Sequence, residues 1–359
     1  MRIMLCHPTG FEWGPPMAAR GIPGTEEAII YLSRALAAQG ADVAVVTRCG
    51  PHAGRHDGVE WIDSAEWQGD SPDVAVITDP ADERLFGPGT RLYLWLHVDL
   101  VESAILPRLE RLRRIMPLSR FSRGRYPSVP DDKVFVTRNG IIPEQFDQTV
   151  ERHPFTIAYG SDYDRGLLAV LELWREIRRH LPEARLRVFY GWQVYDEKIA
   201  TMRRNGDPNL ADWEAQKRRI EELMGQDGVT HLGRLGHDAV AREFLHAAVW
   251  AYPCQFPETS CITAMKAQAG GAVPVIIPVA ALAETVLLGL RTTRVPATIR
   301  HIDAETLREW GGLLVGILKD QPQLDRVRPV MMALARERFD WRGVAREWHD
   351  QFRASLEEG

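Results

Sequence analysis

The chain has 359 residues, 45% hydrophobic and 26% charged, so it holds enough apolar surface for two cores and lies far from the disordered regime. A formal net charge of -5 argues against a wholesale nucleic-acid binder. The four cysteines, Cys6, Cys49, Cys254 and Cys261, are scattered and form no C-x-x-C pair, which speaks against a disulfide framework or a zinc site. No run of about 18 apolar residues suggests a membrane span. A reducing cytoplasm is the expected compartment, with attachment at the inner membrane surface as the alternative.

Arg2 to Cys6 reads as a first buried strand, followed by a Gly/Pro-rich loop and a helix from Thr25 to Gln39, with Thr25 as N-cap and Gly40 as terminator. Further buried strands are predicted over 42–47, 74–78, 91–97 and 133–137. Between the last two, Ile105, Leu106, Leu109, Leu112, Ile115 and Met116 fall on one helical stripe, with Arg108, Arg111, Arg113, Arg114, Arg120, Arg123 and Arg125 crowding the remainder. The plain reading of this stretch is a helix packed on its sheet with a solvated arginine face. The alternatives are a surface for an anionic, glycan or lipid-linked acceptor, a membrane or a nucleic acid. The strand pattern restarts after Pro154 at 155–159 and continues through 186–190, 229–232, 249–253 and 273–277.

Strands alternating with helices imply parallel sheets covered on both faces. The expected fold is therefore α/β, two Rossmann-like doubly wound units with a cleft between them, and ligand residues should lie just after the strands. The segment 257–276 is the most informative. It joins a polar loop to a short helix and then to a buried strand, so helix-start amides and the helix dipole suit an anion beside Thr259 and Ser260, with Glu258 adjacent.

This segment resembles the E-x7-E region of retaining nucleotide-sugar glycosyltransferases, particularly glycosyltransferase family 4, with Lys266 where the second Glu would stand. The resemblance extends over nearly the whole chain: Thr137 to Phe146 is similar to the family's PNGID-x-x-x-F junction, and 229–251 to its FLG-x-V…A-A-D segment. It implies the GT-B architecture, with an acceptor-side domain over 1–150, a nucleotide-sugar donor domain over 151–335, and a C-terminal helix over 336–359 crossing back to the first domain. It further implies transfer of a sugar from a nucleotide diphosphate-sugar donor with retention, no cofactor and no metal.

The same resemblance supplies site residues. Arg165, in Asp164-Arg165-Gly166, matches the second cation of the family's R-x-x-x-K-G segment, where a guanidinium can grip phosphate oxygens bidentately. The first cation is replaced by Ser161, with Arg234 as a possible substitute. Glu258 matches the Glu that contacts donor-sugar hydroxyls, and His97, with Asp99 nearby, matches a His facing that sugar. Gly24, in the turn before the first helix, lies where backbone N–H groups approach a phosphate. His7 and Glu12 are lesser candidates in the same mouth. Lys266 is one of only five lysines beside 39 arginines, so a lysine-rich background does not explain it. It reads as a changed donor contact, a salt bridge unrelated to ligand, or a substitution that weakens the activity. A non-catalytic binder of nucleotide-sugar or polymer and a nucleotide-sugar epimerase of the same architecture remain the alternatives.

Overall fold

The computed structural model describes residues 1–296 and 302–358. The chain divides into two compact units: one is built from Met1–Ile142, Thr259–Ile262 and Glu337–Gly359, the other from Pro143–Glu258 and Thr263–Arg336.

In the first unit, β1 (Arg2–Cys6), β2 (Asp42–Thr47), β3 (Gly54–His56), β4 (Val59–Asp63), β5 (Val74–Ile77), β6 (Arg91–Leu96) and β7 (Leu112–Pro117) form one sheet in the order β3-β4-β2-β1-β5-β6-β7. The β3–β4 pair is antiparallel and the others are parallel. Strands β1, β2, β5 and β6 are runs of buried aliphatic and aromatic residues, as both-face coverage requires. Helix α1 (Gly24–Ala38) follows the loop after β1 and starts behind Pro23, so Thr25 lies within the first turn and is not the N-cap.

The stretch from Ile105 to Arg125 is not one helix. It holds the end of the short α2 (Glu102–Ile105), a 3-10 turn, strand β7 and the short α3 (Arg120–Arg123). Pro107 and Pro117 punctuate the stretch, and Leu112, Ile115 and Met116 suit a buried strand as well as a helical stripe. The arginines accordingly form no common face. Arg111 donates to the carbonyls of Phe86, Gly87 and Thr90, Arg108 pairs with Glu83, Arg113 with Glu358 and Arg123 with Asp131, and Arg114 bonds Gln351. The predicted strand over 133–137 is also irregular: it runs beside β7 through a single Ile115–Val134 bridge and the bonds Phe135 N–H to Ile115 O and Thr137 N–H to Pro117 O.

In the second unit, β8 (Thr156–Gly160), β9 (Arg185–Phe189), β10 (Val229–Gly233), β11 (Val249–Tyr252), β12 (Val273–Ile276) and β13 (Leu290–Arg291) form an all-parallel sheet in the order β10-β9-β8-β11-β12-β13. The order reverses between β8 and β11. Helix α4 (Leu167–His180) follows β8 and buries Leu167, Val170, Leu171, Trp174 and Ile177, one stripe at helical spacing. Helices α5 (Gln193–Asn205) and α6 (Leu210–Met224) separate β9 from β10, α7 (His237–His246) precedes β11, and α8 (Ile262–Gly270) precedes β12. The described remainder adds α9 (Leu282–Thr285), α10 (Ala304–Lys319) and α11 (Gln321–Arg338).

The last helix, α12 (Trp341–Glu357), completes the core of the first unit. Trp341, Val344, Ala345, Trp348 and Phe352 join the same hydrophobic cluster as Ile3, Leu5, Tyr93 and Trp95. The Trp348 ring meets Trp95 edge-on at 4.8 Å, and its Nε1–H donates to Thr137 Oγ1 at 2.6 Å.

Candidate functional site

In the second unit the loops after β8 and β11 flank the point where strand order reverses, which is where open α/β sheets take ligands. Glycine lets these loops meet. Gly166 sits at φ +120°, and a Cβ there would fall 2.4 Å from the Pro253 carbonyl, so only glycine lets the β8 loop close against the end of β11. That closure brings Arg165 to Glu258.

The Arg165 Nη1 donates to both carboxylate oxygens of Glu258, at 2.9 and 3.0 Å. Its guanidinium carbon lies 4.1 Å from the centre of the Phe256 ring, and its Nε is 3.8 Å from Asp164 Oδ1. Burial opposes the charge on Arg165, but Glu258, Tyr252, Tyr190 and Asp164 outweigh it, holding the guanidinium protonated more firmly than usual. Glu258 is only 5% exposed. Its Oε1 also accepts the Tyr252 hydroxyl at 2.6 Å, and the Tyr252 oxygen lies 3.0 Å from Ser161 Oγ.

Beside this pair, Asp162 and Asp164 each accept from Lys198 Nζ at 2.6 Å, the lysine reaching over from α5. Burial and the neighbouring Asp162 raise the pKa of Asp164. The cluster thus sets three carboxylates, Asp162, Asp164 and Glu258, against two cations, Arg165 and Lys198. At its margin Tyr190 adopts φ +121°, a strained value for a bulky side chain. Arg234 lies over the Tyr190 ring at 5.3 Å and donates to its carbonyl at 3.4 Å.

In the first unit the corresponding reversal lies between β1 and β5. His7, directly after β1, has Nδ1 2.6 Å from Thr78 Oγ1 and Nε2 3.6 Å from Glu26 Oε1. Gly24 opens α1, whose first turn carries the buried carboxylates Glu26 and Glu27, so the positive end of that helix dipole has acidic side chains of its own. His97 follows β6, with its ring 4.0 Å from Trp95 and its carbonyl accepting the Thr259 hydroxyl at 3.1 Å. Its Nε2 is buried without a hydrogen-bond partner, as is Ser260 Oγ. Burial, reinforced by the charge on His7, pushes the His97 pKa down to about 3. The imidazole is therefore neutral at physiological pH.

Several solved structures share this architecture. HepE of Anabaena, in complex with UDP and glucose, superposes with a TM-score of 0.71 at 12% identity, over 99% of this chain and 100% of that one. Sucrose-phosphate synthase from Thermosynechococcus elongatus gives 0.71 at 16% identity over 100% of both chains. AviGT4, a glycosyltransferase involved in avilamycin A biosynthesis, gives 0.64 at 16% identity over 100% of this chain and 98% of that one. The chain has the GT-B fold. No protein-family model and no curated protein matches the sequence.

Within its two GT-B units the structure brings together some of the residues singled out by sequence and separates others. Arg165 and Glu258 form one ion pair in the second unit. His97, Gly24, Thr259 and Ser260 belong to the first unit, Thr259 and Ser260 through the four-residue segment Thr259–Ile262. Lys266 belongs to the second unit, on α8, and is 5% exposed. Sequence reasoning missed Tyr252, Asp162, Asp164 and Lys198. Tyr252 ends a buried strand and reads as core; the Asp-x-Asp spacing directly before Arg165 was the available signal for the two aspartates, and Lys198 on α5 left none.

Proposed function

We propose that this chain is a glycosyltransferase that moves a sugar from a nucleotide diphosphate-sugar to an acceptor hydroxyl. The observation that carries the reading is the placement of Arg165 and Glu258 together at the strand-order reversal of the second sheet. A fixed cation and a hydroxyl-accepting carboxylate are what a diphosphate joined to a sugar requires. The likeness to structures holding UDP and UDP-glucose supports a uridine nucleotide as the first donor to try.

In this reading Arg165 takes the negative charge that develops on the departing diphosphate, a task a guanidinium can perform by paired hydrogen bonds and without a metal. Glu258 accepts hydroxyls of the donor sugar. His97, neutral by burial, offers a hydrogen bond to the sugar without adding charge. Gly24, Thr259, Ser260 and Lys266 complete the proposed donor contacts, and retention of configuration follows the family 4 resemblance. The decisive experiment is incubation with UDP-glucose and a panel of other nucleotide-sugars, following nucleoside diphosphate release and sugar transfer. Absence of binding, transfer and donor hydrolysis across the panel would refute the reading, and conversion of one nucleotide-sugar into another would mark an epimerase.

Three observations favour a second reading, a catalytically weakened nucleotide-sugar binder. Arg165 is neutralised by Glu258, Ser161 stands where a second cation is expected, and Lys266 cannot accept ribose hydroxyls. Donor binding without turnover would select it.

A further inference from the structure

The Arg165–Glu258 pair poses a difficulty for a diphosphate. The Arg165 Nη1 is spent on both oxygens of a buried carboxylate and its Nε is buried beside Asp164, so a phosphate cannot take the paired grip of both terminal nitrogens until that carboxylate moves. The carboxylate is itself held. Tyr252 donates to Glu258 Oε1 at 2.6 Å, the Tyr252 oxygen lies 3.0 Å from Ser161 Oγ, and the Tyr252 ring stacks on Trp250 with centroids 4.5 Å apart at 21°. The hydroxyl at Ser161 occupies the loop position where the resemblance expects a cation, so what would be a second phosphate ligand is here the far end of a chain running Ser161, Tyr252, Glu258, Arg165.

We propose that Tyr252 is a positioning residue: with Ser161 it aims Glu258 at Arg165 Nη1 in the ligand-free chain, so that a nucleoside diphosphate has to displace Glu258 before Arg165 can grip its phosphates with both terminal nitrogens. The inference rests on the donor reading given above. Its consequence is selectivity between donor and product. An intact nucleotide-sugar supplies hydroxyls to the displaced carboxylate, whereas a spent nucleoside diphosphate leaves it buried and unpaired, which is costly. The relay therefore favours the donor over the product released from it.

The test is calorimetric titration of UDP, UDP-glucose and inorganic pyrophosphate into the full-length chain and two variants. Glu258→Gln keeps the side-chain shape and the Tyr252 hydrogen bond but removes the charge competing for Arg165, and should tighten UDP and pyrophosphate binding about tenfold. Tyr252→Phe keeps the ring stacked on Trp250 and removes only the hydroxyl, and should tighten UDP binding about threefold, the effect of losing part of one hydrogen bond's restraint. In Glu258→Gln the preference for UDP-glucose over UDP should shrink. A merely structural role for either residue would weaken binding of all three probes, so the sign of the change is diagnostic. Unchanged or weaker UDP binding in both variants, with wild-type binding lost in Arg165→Gln, overturns the relay and leaves the donor reading standing. No binding of any probe to the wild type or either variant overturns both.

Discussion

Lys266 and His97 show how burial turns a residue type into a testable statement. Lys266 is 5% exposed on α8 at the position where the family resemblance expects a carboxylate. If its ammonium serves an anionic donor, Lys266→Glu puts a negative charge near the diphosphate and should lower UDP affinity by at least about 1 kcal/mol in titration. A gain in affinity would instead identify the lysine as a weakening change. For His97 the prediction concerns pH. Its folded pKa lies near 3, below the ordinary 6.5, so between those values the unfolded chain binds the extra proton and stability rises with pH. The His97 contribution is fully present above about pH 6.5 and is lost as pH falls, by at most about 1.4 kcal/mol per pH unit. Urea unfolding at pH 7 and pH 5 should show a smaller loss for His97→Gln than for the wild type. An equal loss would show that His97 is solvated and titrates normally.

At the scale of elements, the loop after β8 depends on Gly166 for its close approach to the end of β11. A methyl group there meets the Pro253 carbonyl at 2.4 Å in a backbone conformation that L-residues avoid. Gly166→Ala should cost about 1–3 kcal/mol of stability and weaken UDP binding, because it moves Arg165 away from the end of β11. Unchanged stability and affinity would mean that the loop has another way to close. Elements of this kind differ in how plainly a sequence announces them. Strands β1, β2, β5, β6, β8, β11 and β12 are readable because burial on both faces demands continuous aliphatic runs. Strand β7 is not, since Leu112-Arg113-Arg114-Ile115-Met116 satisfies helical spacing as well, and only its place at the sheet edge lets Arg113 and Arg114 reach Glu358 and Gln351. The site shows the same division. Arg165 and Glu258 stand out individually by their loop positions, but their pairing across 93 residues, and the Tyr252 bond to Glu258, depend on how two loops approach and leave no periodic trace.

At the scale of the whole molecule, the first unit is assembled from three separated pieces of chain, and its core is incomplete without the last of them. Trp348→Ala should destabilise that unit by about 3–5 kcal/mol, the cost of emptying a fully buried tryptophan site, and removal of residues 337–359 should unfold it while the sheet of the second unit persists. Hydrogen exchange that leaves β1, β5 and β6 as protected as in the intact chain would contradict this. The second unit carries the central functional claim, that Arg165 is the phosphate-binding cation of a nucleotide-sugar site. Arg165→Gln is the apt variant, because an amide can still bond Glu258, which would otherwise be left buried with the Tyr252 hydroxyl. The most direct measurement is calorimetric titration of UDP-glucose into the wild type and into Arg165→Gln. The account predicts binding to the wild type and a loss of about 1.5–3 kcal/mol in the variant, the scale of a charge-assisted hydrogen bond. Equal affinity in the two proteins would contradict it.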